Sequence, residues 1–153
     1  MLHLIKMAAG ISSVEELALR QAALRAERAR KGVWGELAAD QLVHVTRFFP
    51  KRKKEIIGAS GAHGSLYWVF QRRIHVRQTI AGFVEALGED GVLRCGIVLE
   101  GPLVAVERRR HRAFQGWRYL EADAAPPDVQ GLTAGLQDMP AEMRRDLEEL
   151  CLI

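Results

Sequence analysis

Ser65-Leu66-Tyr67-Trp68-Val69-Phe70-Gln71-Arg72-Arg73-Ile74-His75-Val76-Arg77-Gln78-Thr79-Ile80 is the stretch on which the fold turns. Ser65 to Phe70 is apolar at consecutive positions, which predicts a strand covered on both faces. Ile74, Val76, Gln78 and Ile80 then alternate with His75, Arg77 and Thr79, the period of a strand with one apolar face and one basic, polar face. Gln71-Arg72-Arg73 between them is short enough for a hairpin turn, although it lacks the glycine or asparagine that a two-residue turn favours.

Working upstream, Leu42 to Phe49 reads as a strand stopped by Pro50, with His44 and Thr46 alternating against Val43 and Val45. Lys51 to Ile57 follows as a short helical turn, and Gly58 to Gly64 as a flexible loop. Leu2 and Leu4 against His3 and Ile5 predict an opening strand that ends at Ala8-Ala9-Gly10. Ser13 with Glu16 three residues later is a capping-box signature, so a helix follows it. Its apolar stripe is read as Val14, Leu17, Ala18 and Leu24, its later turns carry Arg20, Arg25, Arg28, Arg30 and Lys31, and Gly32 and Gly35 end it.

Downstream, Gly88-Glu89-Asp90-Gly91 is a turn between Phe83-Val84 and a strand in which Leu93, Cys95, Ile97 and Leu99 share a face. Gly101-Pro102 reads as another turn, Leu103 to Glu107 as a strand, Arg108 to Arg112 as a basic loop and Phe114 to Leu120 as a last strand. Residues 121–137, rich in Ala, Pro, Gly and Asp, read as a loop or linker. Residues 138–151, with Pro140 in the first turn and Met143, Leu147 and Leu150 at helical spacing, predict a closing helix. No internal repeat is found. The expectation is a single α+β domain over residues 1–153 with its core in about residues 1–120: a helix near each end and a small, strongly bent antiparallel sheet or partly open barrel.

The chain has 153 residues, 48% hydrophobic and 27% charged, which excludes disorder and fibre and leaves room for one continuous core. Cys95 and Cys151 lie in or beside apolar runs and read as reduced thiols rather than a lone bridge. The apolar start ends at Lys6, too short for a signal peptide or a membrane span, so the expected location is cytoplasmic. Net charge is only +3, but it is unevenly placed. Residues 44–77 carry eight Lys/Arg against Glu55, a local +7, and residues 108–120 add five arginines with no acid. Residues 121–150 carry eight acids against Arg144 and Arg145, a local −6. Such a bipolar chain draws a polyanion to its basic part, and its acidic tail either lies elsewhere or screens that part.

Chemistry-bearing motifs are sparse. His3, His44, His63, His75 and His111 show no metal-ligand spacing, so no metal is expected, and His44 and His75 read as polar-face residues of a sheet. The 58–65 loop could offer amides to a phosphate but lacks a P-loop ending and a dinucleotide fingerprint, and no cofactor is expected. Thr46, Ser60 and Ser65 are candidate nucleophiles with no base placed beside them, and Cys95 reads as core. Three segments interleave arginines with aromatics: 46–52, 67–77 and 114–119. Guanidinium groups pair with phosphate and rings stack on unpaired bases, which is what a reader of RNA or other single strands needs. Arg47, Lys51, Arg52, Arg77 and Arg118 are the candidate phosphate contacts, and Tyr67, Trp68, Gln115, Trp117 and Tyr119 the candidate base pocket. The competing reading puts Trp68, Trp117 and Phe114 in the core and leaves the arginines solvated.

Met1 to Lys6, His44-Val45-Thr46-Arg47 with Pro50-Lys51-Arg52, Gly64 to Val69, Val76-Arg77-Gln78, Arg94-Cys95 and Phe114 to Leu120 together resemble the alphaproteobacterial domain-of-unknown-function family one-four-eight-nine. That resemblance implies no activity. A strand ending in Lys6, the helix start Ser13-Val14-Glu15-Glu16-Leu17 and the following short strands are also similar to the EVE and ASCH branches of the PUA-like barrels. This second likeness implies a pseudo-barrel with a pocket for a base, often a modified one, and a basic rim. Some ASCH relatives look like small amidohydrolases using lysine, threonine and glutamate; Thr46, Lys51 and Glu85 supply those residue types at a spacing that departs from theirs. Three functions are therefore carried forward: a nucleic-acid or modified-nucleotide binder, a small hydrolase, and an interaction protein using the acidic C-terminal helix on a basic partner.

Overall fold

The 65–80 stretch folds as the hairpin it predicts. The structure, a computed structural model, describes residues 1–31, 37–58, 63–87 and 90–129. The helix expected over 138–151, Cys151, Gly32, Gly35, most of the 58–64 loop and half of the 88–91 turn lie outside the described residues. The strands are β1 (His3–Met7), β2 (Leu42–Thr46), β3 (Ser65–Phe70), β4 (Arg73–Leu87), β5 (Leu93–Arg110) and β6 (Trp117–Leu120), and the helices are α1 (Val14–Lys31) and α2 (Lys53–Ile56). The six strands form one open sheet in the order β2-β5-β4-β3-β1-β6.

The sheet is mixed, not purely antiparallel. β1 pairs with β3 in parallel, Ile5 opposite Tyr67 and Lys6 opposite Trp68. The connection between them is long enough to include α1, β2 and α2, which allows the crossover that a parallel pair requires. Every other pairing is antiparallel.

All six residues of β3 are buried, because two cores share it. Leu66, Trp68 and Phe70 face the larger core with Leu4, Ile80, Ile97 and Leu99, while Tyr67 and Val69 face a second one with Ile5, Ile74 and Val106. We call these the inner and outer faces. Residues 121–129 are irregular, as expected, but are docked on the outer face: Glu107 N donates to Pro127 O at 2.9 Å, Val129 N to Ala105 O at 3.2 Å, and Asp128 bridges to Val106.

Gly101-Pro102 does not turn the chain. β5 runs unbroken through it, with Thr79 opposite Glu100 and Arg77 opposite Val104. Residues 101–103 therefore bulge out against Gln78 alone, and Gly101 takes the left-handed φ of +73° that suits a glycine in a bulge. Arg108 to Arg110 continue the strand instead of forming a loop. A second irregularity sits at His75, between the pairs Val69–Ile74 and Trp68–Val76. One extra residue reverses which face the following side chains take. Ile74 is thus turned to the outer core, and His75, expected on a polar face, is buried and stacked on Phe70 with centroids 3.8 Å apart.

α1 starts at the expected cap: Glu16 N donates to Ser13 Oγ at 3.1 Å, and the Glu16 carboxylate reaches back to Ser12 N and Oγ at 3.1 and 2.7 Å. The face that meets the sheet differs from the expected stripe. Ala18 and Leu24 are exposed, and contact runs through Val14, Leu17 and Gln21 to Arg28, whose guanidinium donates to Gln41 O at 2.8 Å. The polar members of that stripe were invisible to an apolar count.

Candidate functional site

β2 ends at Thr46, three residues before the expected stop, and Arg47, Phe48 and Phe49 leave the sheet ahead of Pro50. They turn toward β6, the strand at the opposite edge. Trp117 Nε1 donates to Phe48 O at 2.9 Å, and Tyr119 Oη accepts from Arg52 N at 3.1 Å. The sheet is therefore curled until its two edges approach, and side-chain bonds span the seam where a barrel would have closed.

A cleft of about 780 Å³ occupies that seam. Phe48, Phe49, Trp117 and Tyr119 supply its rings, with Trp117 and Tyr119 edge to face at a centroid distance of 5.0 Å. Arg47 and Lys51 supply its charge, and Arg47 lies 5.6 Å over the Phe48 ring. Gln115, next to Gly116 at φ +69°, presents an exposed amide at the same opening. Phe48 is 66% exposed, so its ring is open to solvent at the cleft. No carboxylate is among the described residues that line the cleft.

Of the ten sequence-derived candidates, Arg47, Lys51, Gln115, Trp117 and Tyr119 are brought together here. Arg52 stands beside the cleft but is already engaged. Its guanidinium bonds Glu55 at 2.6 and 2.8 Å and Glu121 at 2.9 Å and lies 5.2 Å over the Tyr119 ring. Those carboxylates hold it charged and fixed, so it positions Tyr119 across the seam instead of meeting a ligand.

The remaining candidates go elsewhere because adjacent strand residues face opposite sides. Trp68 is buried in the inner core, edge-on to His44 at 5.1 Å, and Tyr67 is buried in the outer core. Arg77 is clamped by Asp128 at 2.8 and 2.7 Å and donates to Ser65 Oγ at 3.1 Å. Arg118, between Trp117 and Tyr119 in sequence, sits 4.9 Å over the Phe114 ring beside the outer core. Two acids of the 121–128 segment thus neutralise two of the basic-stretch arginines, Glu121 at Arg52 and Asp128 at Arg77. Phe48 and Phe49 were missed as site residues; their place in the arginine–aromatic segment 46–52, beside Arg47 and Lys51, was the available signal.

The other sequence candidates have structural explanations. Cys95 is fully buried, and burial raises its thiol pKa. Gly64, in the supposed amide loop, is packed so tightly that a Cβ there would collide with the Leu2 carbonyl. His44 is not on a polar face but lies half-buried inside the curl, where burial pushes its pKa down to about 4. Thr46 and Lys51 line the cleft, whereas Glu85 is separated from Thr46 by Cys95 in the cross-strand row and does not line it. Among the described residues no group of three or more His, Cys, Asp or Glu is placed to hold a metal, and no helix is long and apolar enough to cross a membrane.

Fold and site define a curled, open, mixed sheet flanked by a capped helix, with an aromatic and cationic cleft at the seam between its edges. The sequence matches the family model described as "Protein of unknown function (DUF1489)" over residues 4–153, and the chain belongs to that family. No curated protein and no solved structure matches it.

Proposed function

We propose that the seam cleft binds single-stranded nucleic acid or a modified nucleotide, with unpaired bases stacking on Phe48 and Trp117 and phosphates meeting Arg47 and Lys51. The observation that carries this reading is the lining of one cleft by four aromatic rings and two cations, with no carboxylate among the described residues there. Aromatic faces accept any base and flanking cations track the backbone. In this reading the curled sheet works as an incomplete PUA-like barrel, the seam is its mouth, and Gln115 is placed to meet a base edge with one donor and one acceptor.

The small-hydrolase alternative draws on Thr46 and Lys51, which share the cleft. Among the described residues no Asp, Glu or His lines the cleft, Glu85 lies outside it, and the Thr46 hydroxyl donates to Phe48 O at 3.5 Å rather than to the Lys51 amine. Geometry therefore favours the binder.

Fluorescence anisotropy with short RNA and DNA oligonucleotides at two salt concentrations tests the proposal. Trp117→Ala should weaken binding by about 1–3 kcal/mol through lost stacking. Arg47→Ala with Lys51→Ala should flatten the salt dependence as phosphate contacts are removed. Arg77→Ala with Arg118→Ala, on the other face, should change little. Loss of binding in that outer-face pair with none in the cleft variants would overturn the assignment, as would absence of binding at either salt.

A further inference from the structure

Lys6 carries its charge into the inner face of the sheet, where no acid among the described residues is paired with it. It is paired across one neighbouring strand with Trp68 and across the other with Trp117. Burial lowers its pKa. A half-buried ammonium that gives up hydration without a counter-ion is a costly feature for a fold to keep in a strand paired on both sides.

On the Trp68 side of Lys6 a cavity of about 170 Å³ lies between α1 and the sheet. Trp68, Leu17 and Leu42 give it apolar walls, Lys6 and Arg20 give it positive charge, and no Asp or Glu is among the described residues that line it. Arg20 is held in place through a bond from Nη1 to Ala9 O at 2.8 Å; Glu16, one turn earlier on α1, feels its charge, but Arg20 makes no other hydrogen bond among the described residues. His44 lines the same space, edge-on to Trp68, with a shielded Nε2 that has no hydrogen-bond partner among the described residues. The enclosure is distinct from the seam cleft and below the roughly 300–1,000 Å³ of sites that take larger ligands, so a nucleotide does not fit.

We propose that this cavity is a second ligand site, and that it takes a small organic anion: a monocarboxylate with a planar or branched apolar body, its carboxylate on Lys6 and Arg20 and its body against Trp68. The carboxylate restores to Lys6 the charge-assisted hydrogen bond that burial denies it, and the apolar body replaces water along the leucine wall. The proposal stands independently of the seam cleft's function, since it uses none of that cleft's lining residues.

Benzoate, with benzamide as its neutral isostere, is the probe. Nuclear magnetic resonance of the full chain should show benzoate shifting the Trp68 indole and His44 imidazole signals, with benzamide shifting neither at the same concentration. Lys6→Met, which keeps the apolar stem, should weaken benzoate binding by about tenfold or more, and Lys6→Arg should retain it. Equal binding of benzamide would make the cavity merely apolar and overturn the proposal. So would shifts confined to the Trp117 indole, which place benzoate in the seam, or no shifts at all. If Lys6→Met fails to fold, the benzoate and benzamide comparison on the unaltered chain decides alone.

Discussion

Gln21 of α1 and Gln78 of β4 exchange two amide hydrogen bonds inside the core, Gln21 Nε2 to Gln78 Oε1 at 2.8 Å and Gln78 Nε2 to Gln21 Oε1 at 3.0 Å. Gln78 is completely buried, and it also accepts from Trp68 Nε1 at 3.4 Å and donates to the bulged Gly101 carbonyl at 3.3 Å. Helix, strand, core tryptophan and bulge are thus tied to one side chain. Gln78→Leu strands the Gln21 amide, the Trp68 indole and the Gly101 carbonyl, and should cost about 2–3 kcal/mol. Gln21→Leu with Gln78→Leu together should cost less than the sum of the single changes, a coupling that a double-mutant cycle of urea unfolding measures.

The β3–β4 hairpin turns on two non-glycine residues in the left-handed region, Gln71 at φ +53° and Arg72 at φ +60°. A two-residue turn with both φ positive matches the sheet's twist, but it strains any residue with a Cβ. Gln71→Asn with Arg72→Gly should therefore stabilise the chain by about 1 kcal/mol, read as a higher denaturation midpoint with an unchanged slope.

His75 and His44 make stability depend on pH. Phe70 O accepts from His75 Nε2 at 2.9 Å, so the proton sits there and Nδ1 is a buried acceptor without a donor. Burial, with Arg108 and Arg73 adding repulsion, lowers the His75 pKa to about 4, and burial beside Lys6 does the same for His44. The unfolded chain, with these groups near 6.5, binds more protons than the folded one between those values. Their contribution is complete above about pH 6.5 and is lost as pH falls toward 4. Urea midpoints measured at pH 7 and pH 5 should fall with acidification, and His75→Phe, which keeps the stack on Phe70, should reduce that fall.

Two strand glycines should respond oppositely to alanine. At Gly96 a Cβ would lie 2.7 Å from both Val43 Cγ1 and Val84 Cγ2, with strands on either side. Gly96→Ala should destabilise by about 1–3 kcal/mol through overpacking. At Gly82 a Cβ meets nothing within 4 Å. Gly82→Ala should be neutral or gain about 0.5 kcal/mol from the lower entropy of the unfolded chain. Melting temperatures of the two variants separate these outcomes.

Much of the architecture was legible along the chain because local rules govern it. The double apolar run of Ser65 to Phe70, the alternation through Ile80, the Ser13–Glu16 cap and the strand ending at Leu120 all correspond to observed elements. Expectations failed where extra residues enter a strand. The His75 irregularity redirects Ile74 and buries a histidine, and the Gly101 bulge lets an apparent turn remain strand. The parallel β1–β3 pair escaped because pairing direction depends on how a long connection travels, which no window of sequence reports.

For the site, the sequence alone supplies the ingredients: arginines and aromatics interleaved around residues 46–52, 67–77 and 114–119, with excess basic charge up to about residue 120 and acidic charge after it. Tertiary structure decided which of them meet. A strand sends Trp117 and Tyr119 to one side and Arg118 to the other, Asp128 and Glu121 occupy Arg77 and Arg52, and the curl of the sheet carries Phe48 to Trp117 across 69 residues. Composition and period are local properties of the chain, whereas a cleft between two sheet edges exists only once every intervening strand has paired and twisted.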